Sequence, residues 1–210
     1  MGTAGPRLRE IKKQETRDAI AAVATRLFGE RGFENVTIAE IAAAARVSKM
    51  TVTNYFARKE DLAIDAHEQV IDDIVRPVAE RADGVSVLAA ARAGYARRLA
   101  DRAHSIGLAG PTWTNMISSS RALQARLREI FDQAEHELAG AIATQTGDPG
   151  PLPKIVAAQL VAVDRVLFAE AQAFGGAGRN DDDTCAALAH SARTAYDLLE
   201  PALGRYGTTR

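Results

Sequence analysis

The chain has 210 residues, of which 47% are hydrophobic and 25% are charged, and its formal net charge is −1. This composition is typical of a globular protein with a buried core and excludes a disordered or low-complexity chain. The charge is unevenly distributed: residues 1–60 carry 11 Lys and Arg against 7 Asp and Glu, whereas residues 61–210 are net acidic. A basic N-terminal part on an acidic body indicates that the N-terminal part meets an anion.

Cysteine and histidine usage bears on redox and metal chemistry. The single cysteine, Cys185, excludes an intramolecular disulfide and a cysteine-based zinc site. The histidines are far apart in sequence, so we expect no metal site and no cofactor. The longest uncharged stretch, residues 103–120, is interrupted by Gly107, Gly110 and Pro111, so we expect no membrane partner. The first 17 residues have no apolar core typical of a signal peptide, and we expect a cytoplasmic protein.

Apolar periodicity predicts an all-α fold along nearly the whole chain. After a loose basic arm at residues 1–11, an amphipathic helix is expected from Thr16 to Arg31, with Gly32 as its left-handed stop. A longer helix is expected from Leu62 to Val78. Further helices are predicted at 86–102, after Gly110, at 120–145 with Ser119 or Ser120 as its cap, at 152–174 and at 182–203. The segment 152–174 is apolar on more than one face, which is typical of a helix buried on two sides. In so small a chain, we expect one of these sides to be a subunit interface.

The segment 33–62 carries the most specific signal in the chain. Thr37 and Glu40 have the spacing of a capping box, which predicts the start of a short helix. Ser48 is a favourable N-cap for a second short helix after a turn of about three residues. Two capped helices joined by so short a turn are the sequence outline of a helix-turn-helix.

The second of these helices has two distinct faces. Val52, Tyr55 and Phe56 are expected to hold it to the rest of the domain, while Met50 and Asn54 point away from them. The neighbouring side chains Lys49, Thr51 and Thr53 are polar or cationic. Such a face suits base edges in a DNA major groove, and it also suits an ordinary solvated helix surface. Lys59, at the start of the next helix, is placed to meet a phosphate.

The stretches 37–42, 45–48 and 55–62 resemble the DNA-binding region of TetR-family transcriptional regulators. The resemblance implies an N-terminal three-helix helix-turn-helix domain, residues 1–60 with the arm, and a C-terminal helical domain, residues 61–210, for effector binding and dimerisation. The function it implies is that of a ligand-responsive repressor, not an enzyme, which binds a palindromic operator as a homodimer. An activator or effector-independent DNA binder with the same head, and a small-molecule carrier that has lost DNA binding, remain alternatives.

The resemblance also implies roles for individual residues. The side chains expected near phosphates are Thr37, Ser48, Thr53, Tyr55 and Lys59, and those expected near base edges are Lys49, Met50, Thr51 and Asn54. The chain departs from the family pattern in three places. Arg46 stands where the family commonly has a turn glycine, Thr53 where it has tyrosine, and Ala57 where it has a capping residue. A left-handed conformation at Arg46 costs about 1 kcal/mol.

The body is expected to bind a largely apolar small-molecule effector and to dimerise through helices at about 152–174 and 182–203. A few large side chains among many alanines leave room for an apolar cavity. The candidate effector contacts are His67, Tyr95, Trp113, Met116, Phe131 and Phe168. Each aromatic among them equally suits plain core packing, His67 suits a solvated helix face, and Cys185 is best explained by simple packing.

Overall fold

The fold comes from a computed structural model that describes residues 4–178 and 181–208. All regular secondary structure in these ranges is helical. The helices are α1 (Ala4–Arg31), α2 (Ile38–Ala44), α3 (Lys49–Tyr55), α4 (Lys59–Ala63), α5 (His67–Ala79), α6 (Val87–Ala100), α7 (Pro111–Ser119), α8 (Arg121–Thr146), α9 (Leu152–Gly176) and α10 (Asp181–Leu203), with a 3-10 turn at His104–Ile106. The all-α prediction is confirmed. In the described part of the chain, no helix is both long and apolar enough to span a membrane.

The chain forms two compact units. One unit consists of the residues up to Asp65 together with Met116–Gln124, and the other consists of Ala66–Asn115 together with the described residues from Ala125 onward. The domain boundary at residue 60 stays a prediction.

The first unit is built around α1, which begins earlier than expected. The arm predicted at residues 1–11 is wrong from Ala4 onward, where the chain is already helical, and residues 1–3 lie outside the described residues. No glycine interrupts residues 6–16, most of which favour helix, and Pro6 falls in the first turn, where a missing N–H costs nothing. The fully buried side chains of this unit include Ile20, Ala24, Phe28, Val36, Ile41, Val52, Phe56 and Leu62.

The expected long helix from Leu62 to Val78 is wrong, because the chain breaks between α4 and α5. Ile64 leaves the helical region, with φ −119° and ψ 58°. Arg17 Nη2 donates to the Asp65 carbonyl oxygen over 2.9 Å, which satisfies an acceptor at the break. The break thus has a tertiary partner and no glycine or proline of its own.

The second unit packs α5 against α6 and α10 against both α6 and α9. Pro77 of α5 lies so close to Gly94 of α6 that a Cβ at residue 94 would be 2.6 Å from the proline Cγ. Between α6 and α9, Arg98 and Asp164 form a buried ion pair. A buried ion pair must keep both partners, because either charge alone would be left without compensation.

Candidate nucleic-acid interface and effector site

The capping box that begins α2 is confirmed. Thr37 N donates to Glu40 Oε2 over 2.8 Å, the Thr37 hydroxyl donates to the same oxygen over 2.7 Å, and Glu40 N donates to Thr37 Oγ1 over 3.3 Å. Arg31 Nη2 donates to the other carboxylate oxygen over 2.7 Å. These donors, led by the Thr37 hydroxyl, lower the pKa of Glu40 from 4.5 to about 2. The entry to α2 is therefore fixed by an ionised carboxylate.

The turn between α2 and α3 is closed by backbone hydrogen bonds. Val47 N donates to the Ala42 carbonyl oxygen over 3.0 Å and Arg46 N donates to the Ala43 carbonyl oxygen over 3.2 Å. Arg46 has φ 58°, so the predicted left-handed conformation at this position is confirmed. The Arg46 side chain is exposed directly before the second helix. Its charge makes it an additional candidate for a DNA contact that the sequence prediction did not include.

Ser48 caps α3, as predicted from its side chain. Thr51 N donates to Ser48 Oγ over 2.9 Å, and the two hydroxyl oxygens are 2.8 Å apart in a hydrogen bond of their own. Val52 is fully buried, and Phe56, directly after the helix, is 2% exposed. These two side chains fix the inner face of α3, so its opposite face is turned to solvent.

The outer face of α3 carries the residues predicted to meet base edges. Lys49, Met50 and Asn54 are exposed, and Thr51 is half-buried. Met50 is 72% exposed, which is unusual for so large an apolar side chain. The Thr53 hydroxyl donates back to its own helix, to the Met50 carbonyl oxygen over 3.1 Å.

The residues predicted to meet phosphates surround α3 in sequence. Thr37, Ser48 and Thr53 are exposed, whereas Tyr55 and Lys59 are half-buried. Lys59 is the first residue of α4, and its Nζ lies 4.2 Å from the centroid of the Phe33 ring. Next to Lys59, Arg58 N donates to Asp61 Oδ2 over 3.1 Å. This hydrogen bond is present at the start of α4 although Ala57 stands where the family commonly has a capping residue.

Three of the candidate effector residues form one aromatic cluster in the second unit. The Phe168 ring centroid is 5.6 Å from that of Phe131 and 6.4 Å from that of Trp113, both with edge-on geometry. Gly107, with φ 85°, approaches Phe168 so closely that a Cβ would lie 2.9 Å from the ring. The cluster is thus packed tightly, as aromatic core residues usually are.

Tyr95 lies apart from these three, in the wall of a groove of about 890 Å³ between α6 and α10. The walls are formed largely by small side chains, Ala89, Ala93, Ala96 and Ala100 of α6 and Ala186, Ala189 and Ala192 of α10. Tyr196 and Cys185 also line the groove. Tyr196 is not among the predicted effector contacts, because it lies about a hundred residues from Tyr95 and no local pattern connects the two.

The two tyrosines of the groove differ in their hydrogen bonding. Tyr196 Oη donates to the Ala91 carbonyl oxygen over 3.4 Å, whereas Tyr95 Oη has no partner within the described residues. Burial, and next the nearby Asp164 carboxylate, raise the pKa of Tyr95 well above its ordinary value. Tyr95 therefore stays neutral and retains an unused donor. The remaining candidates, His67 of α5 and Met116 of α7, are half-buried and are not among the residues that line the groove.

The helices α2 and α3 are short and capped, and a tight turn joins them. The second of them turns a polar face outward. This is the architecture of a helix-turn-helix DNA-binding transcriptional regulator. The N-terminal part of the chain is similar to the DNA-binding domain of TetR-family transcriptional regulators. Residues 20–66 match the family described as bacterial regulatory proteins, tetR family.

One relative is similar in sequence, and two solved structures are similar in fold. The chain is 28% identical over 208 residues to the HTH-type transcriptional regulator TcmR of Streptomyces glaucescens. The aligned region covers 95% of this chain and 89% of the relative. Among solved structures, NalD of Pseudomonas aeruginosa is similar with a TM-score of 0.54 and 18% identity, over 87% of this chain and 97% of that chain. The SmeT–triclosan complex is similar with a TM-score of 0.52 and 18% identity, over 90% and 91% of the two chains.

Proposed function

We propose that this regulator is a ligand-responsive repressor that binds a palindromic operator as a homodimer. The outward face of α3, held in place by the cap at Ser48 and by buried Val52, is the observation that carries this proposal. NalD, one of the proteins with a similar fold, is described as the secondary repressor of a multidrug efflux pump. In this proposal residues 1–60 bind DNA, and residues 61–210 dimerise and bind the effector.

DNA binding divides into phosphate contacts and base contacts. Thr37, Ser48, Thr53, Tyr55 and Lys59 would meet phosphates and set the register, while Lys49, Met50, Thr51 and Asn54 would meet base edges. The surplus of cationic residues in the first 60 positions supports binding to a polyanion. Because phosphate contacts release counterions, operator affinity should fall steeply as salt rises.

The proposed dimer forms through α9 and α10. Val166 of α9 is 58% exposed and Leu198 of α10 is 80% exposed, and both line a shallow apolar groove between the two helices. Large apolar side chains grouped on one exposed face are typical of a protein interface. A twofold dimer would present two α3 helices to successive major grooves, and its operator would accordingly be a palindrome.

The effector in this proposal is a largely apolar small molecule. The groove between α6 and α10 supports it, since about 890 Å³ lies within the range of ligand sites. SmeT, another protein with a similar fold, has been solved with triclosan. For the protein to release DNA, the effector must bind more tightly to the conformation in which the two DNA-binding domains do not fit the operator.

Selection of random DNA fragments on the purified protein, followed by titration of the selected fragment at two salt concentrations, tests the proposal. We expect an enriched palindrome that is bound by two protein chains, with affinity falling as salt rises. Compounds that weaken this complex would then identify effectors, and each should also raise the melting temperature of the protein alone. Weak binding without sequence preference would refute the repressor proposal.

A further inference from the structure

The side chains on α3 differ in whether they already form hydrogen bonds within the helix. The hydroxyls of Ser48 and Thr51 bond to each other, and Ser48 Oγ also accepts from the Thr51 amide. The Thr53 hydroxyl is engaged with the carbonyl oxygens of Lys49 and Met50, at 3.3 Å and 3.1 Å. A DNA contact by any of these hydroxyls would compete with a hydrogen bond that it already makes within the helix.

Lys49, Met50 and Asn54 are exposed and make no side-chain hydrogen bond within the described residues, and Met50 and Asn54 lie together. At 3.6 residues per turn, positions four apart differ by about 40° around a helix, and both residues lie opposite the fully buried Val52. Met50 is 72% exposed, and the Asn54 amide is exposed and makes no hydrogen bond within the described residues. The most outward strip of α3 thus offers one apolar group and one carboxamide, about 6 Å apart.

The two groups have different complements in a major groove. Adenine presents the N7 acceptor and the N6 donor that a carboxamide pairs with at two points, and thymine presents the C5-methyl group that apolar side chains contact. Among the four natural bases, this methyl is the apolar group of the groove, so it is the natural contact for an exposed methionine. Base pairs are about 3.4 Å apart, so two side chains at this spacing can reach neighbouring pairs.

We propose that Met50 and Asn54 determine operator specificity, with Met50 reading a thymine methyl and Asn54 reading an adenine in the same half-site. This inference rests on the proposed function, because it requires a specific operator. It adds the identity of the bases: each half-site contains A·T pairs at the positions that α3 contacts, and their recognition depends on these two side chains.

The test uses the selected operator with single-group changes in the DNA. Replacing one thymine at a time by deoxyuridine removes only the methyl group, and replacing adenine by 7-deazaadenine removes only the N7 acceptor. At one thymine we expect about fourfold weaker binding, the ~0.8 kcal/mol of one buried methyl converted at 1.4 kcal/mol per tenfold. At one adenine we expect about fivefold weaker binding, from the ~1 kcal/mol of one hydrogen bond.

Protein variants then assign each effect to a side chain. Met50→Ala should bind the thymine and deoxyuridine operators equally, while Met50→Leu, which keeps an apolar group, should retain the preference for thymine. Asn54→Ala should lose the effect of 7-deazaadenine. Asn54→Asp, which can only accept, should shift the preference toward cytosine. Lys49→Ala serves as the matched control on the same helix, because losing its charge should weaken binding to both operators and leave their ratio unchanged.

The possible results separate this inference from the proposed function. If a palindrome is selected but no deoxyuridine substitution weakens binding, or if the effect persists in Met50→Ala, the assignment of Met50 is wrong and the repressor proposal stands. The same holds for Asn54 if its alanine variant still responds to 7-deazaadenine. If no specific site is selected at all, both proposals fail.

Discussion

The buried ion pair between Arg98 and Asp164 gives the sharpest prediction for stability. Their side chains are 8% and 7% exposed, and Arg98 Nη2 donates to Asp164 Oδ1. Within the described residues, Nε and Nη1 of Arg98 have no other hydrogen-bond partner. Asp164→Leu would therefore leave a buried guanidinium without a counter-ion, with the face of the Tyr95 ring 5.1 Å from its Cζ. We expect this variant to lose about 3–5 kcal/mol of the free energy of unfolding.

That loss is a large share of the total, since domains are typically stable by about 5–15 kcal/mol. Replacing both partners, in Arg98→Met/Asp164→Leu, removes the stranded charge, and the double variant should lie within about 1 kcal/mol of the wild type or above it. Asp197→Leu is the matched control, because Asp197 pairs with Arg92 on the surface and is 65% exposed. Its cost should stay below about 1 kcal/mol.

Urea denaturation followed by circular dichroism measures these differences. All variants should be compared at one protein concentration, because the proposed dimerisation would add to the apparent stability. A cost below about 1 kcal/mol for Asp164→Leu would refute the reasoning, since it would mean that Arg98 finds water or another partner. Additive effects of the two single substitutions would refute it as well, because a true pair must show coupling.

The groove tyrosines, the left-handed turn, the α2 cap and the exposed face of α10 give the remaining predictions. Tyr95→Phe should leave the free energy of unfolding unchanged or higher, because it removes a buried hydroxyl without a partner. Tyr196→Phe should lower the free energy of unfolding by about 1 kcal/mol, because it removes a hydrogen bond. Equal losses of stability for the two variants in urea denaturation would contradict this. Arg46→Gly should raise the free energy of unfolding by up to about 1 kcal/mol, because glycine relieves the strain at φ 58° but also increases the entropy of the unfolded chain. Arg46→Ala should not raise the free energy of unfolding, because alanine keeps the Cβ atom. Folding lowers the pKa of Glu40 from 4.5 to about 2. The ionised side chain therefore contributes its full stabilisation above pH 4.5 and loses it as the pH falls toward 2. In denaturation curves measured between these pH values, the stability of Glu40→Gln should fall less than that of the wild type. Leu198→Glu should convert the proposed dimer to monomers in analytical ultracentrifugation without unfolding them, because the side chain is 80% exposed in the single chain.

The parts of the fold that the sequence predicts best are those fixed by residues three or four positions apart. The capping box at Thr37 and the cap at Ser48 need only local geometry, and both are confirmed. Ser120 is confirmed as a cap too, since Leu123 N donates to its Oγ over 3.3 Å. Yet the same hydroxyl donates to Glu34 Oε1 over 2.6 Å, a contact between residues 86 positions apart. No local pattern predicts such a pair.

The break after α4 shows why a clear periodicity can mislead. Leu62, Val70 and Ile74 are buried at spacings of eight and four residues, so the apolar pattern continues across the break while the helix does not. What distinguishes the break is the bond from Arg17 to the carbonyl oxygen of Asp65, which supplies a donor that a continuing helix would otherwise provide. The donor lies 48 positions away in sequence, so this hydrogen bond depends on tertiary structure. The residues at the break give no sign of it.

The candidate effector residues illustrate the same limit for a site. Large side chains are the natural candidates for ligand contacts in a sequence, but they also fill the space between helices. Trp113, Phe131 and Phe168 pack against one another, and their role in effector binding stays a prediction. The groove lies instead where α6 carries alanines at positions 89, 93, 96 and 100, three or four residues apart. A row of methyl groups leaves a helix surface unfilled, so the spacing of the smallest residues is the better sequence signal for a cavity in an alanine-rich bundle.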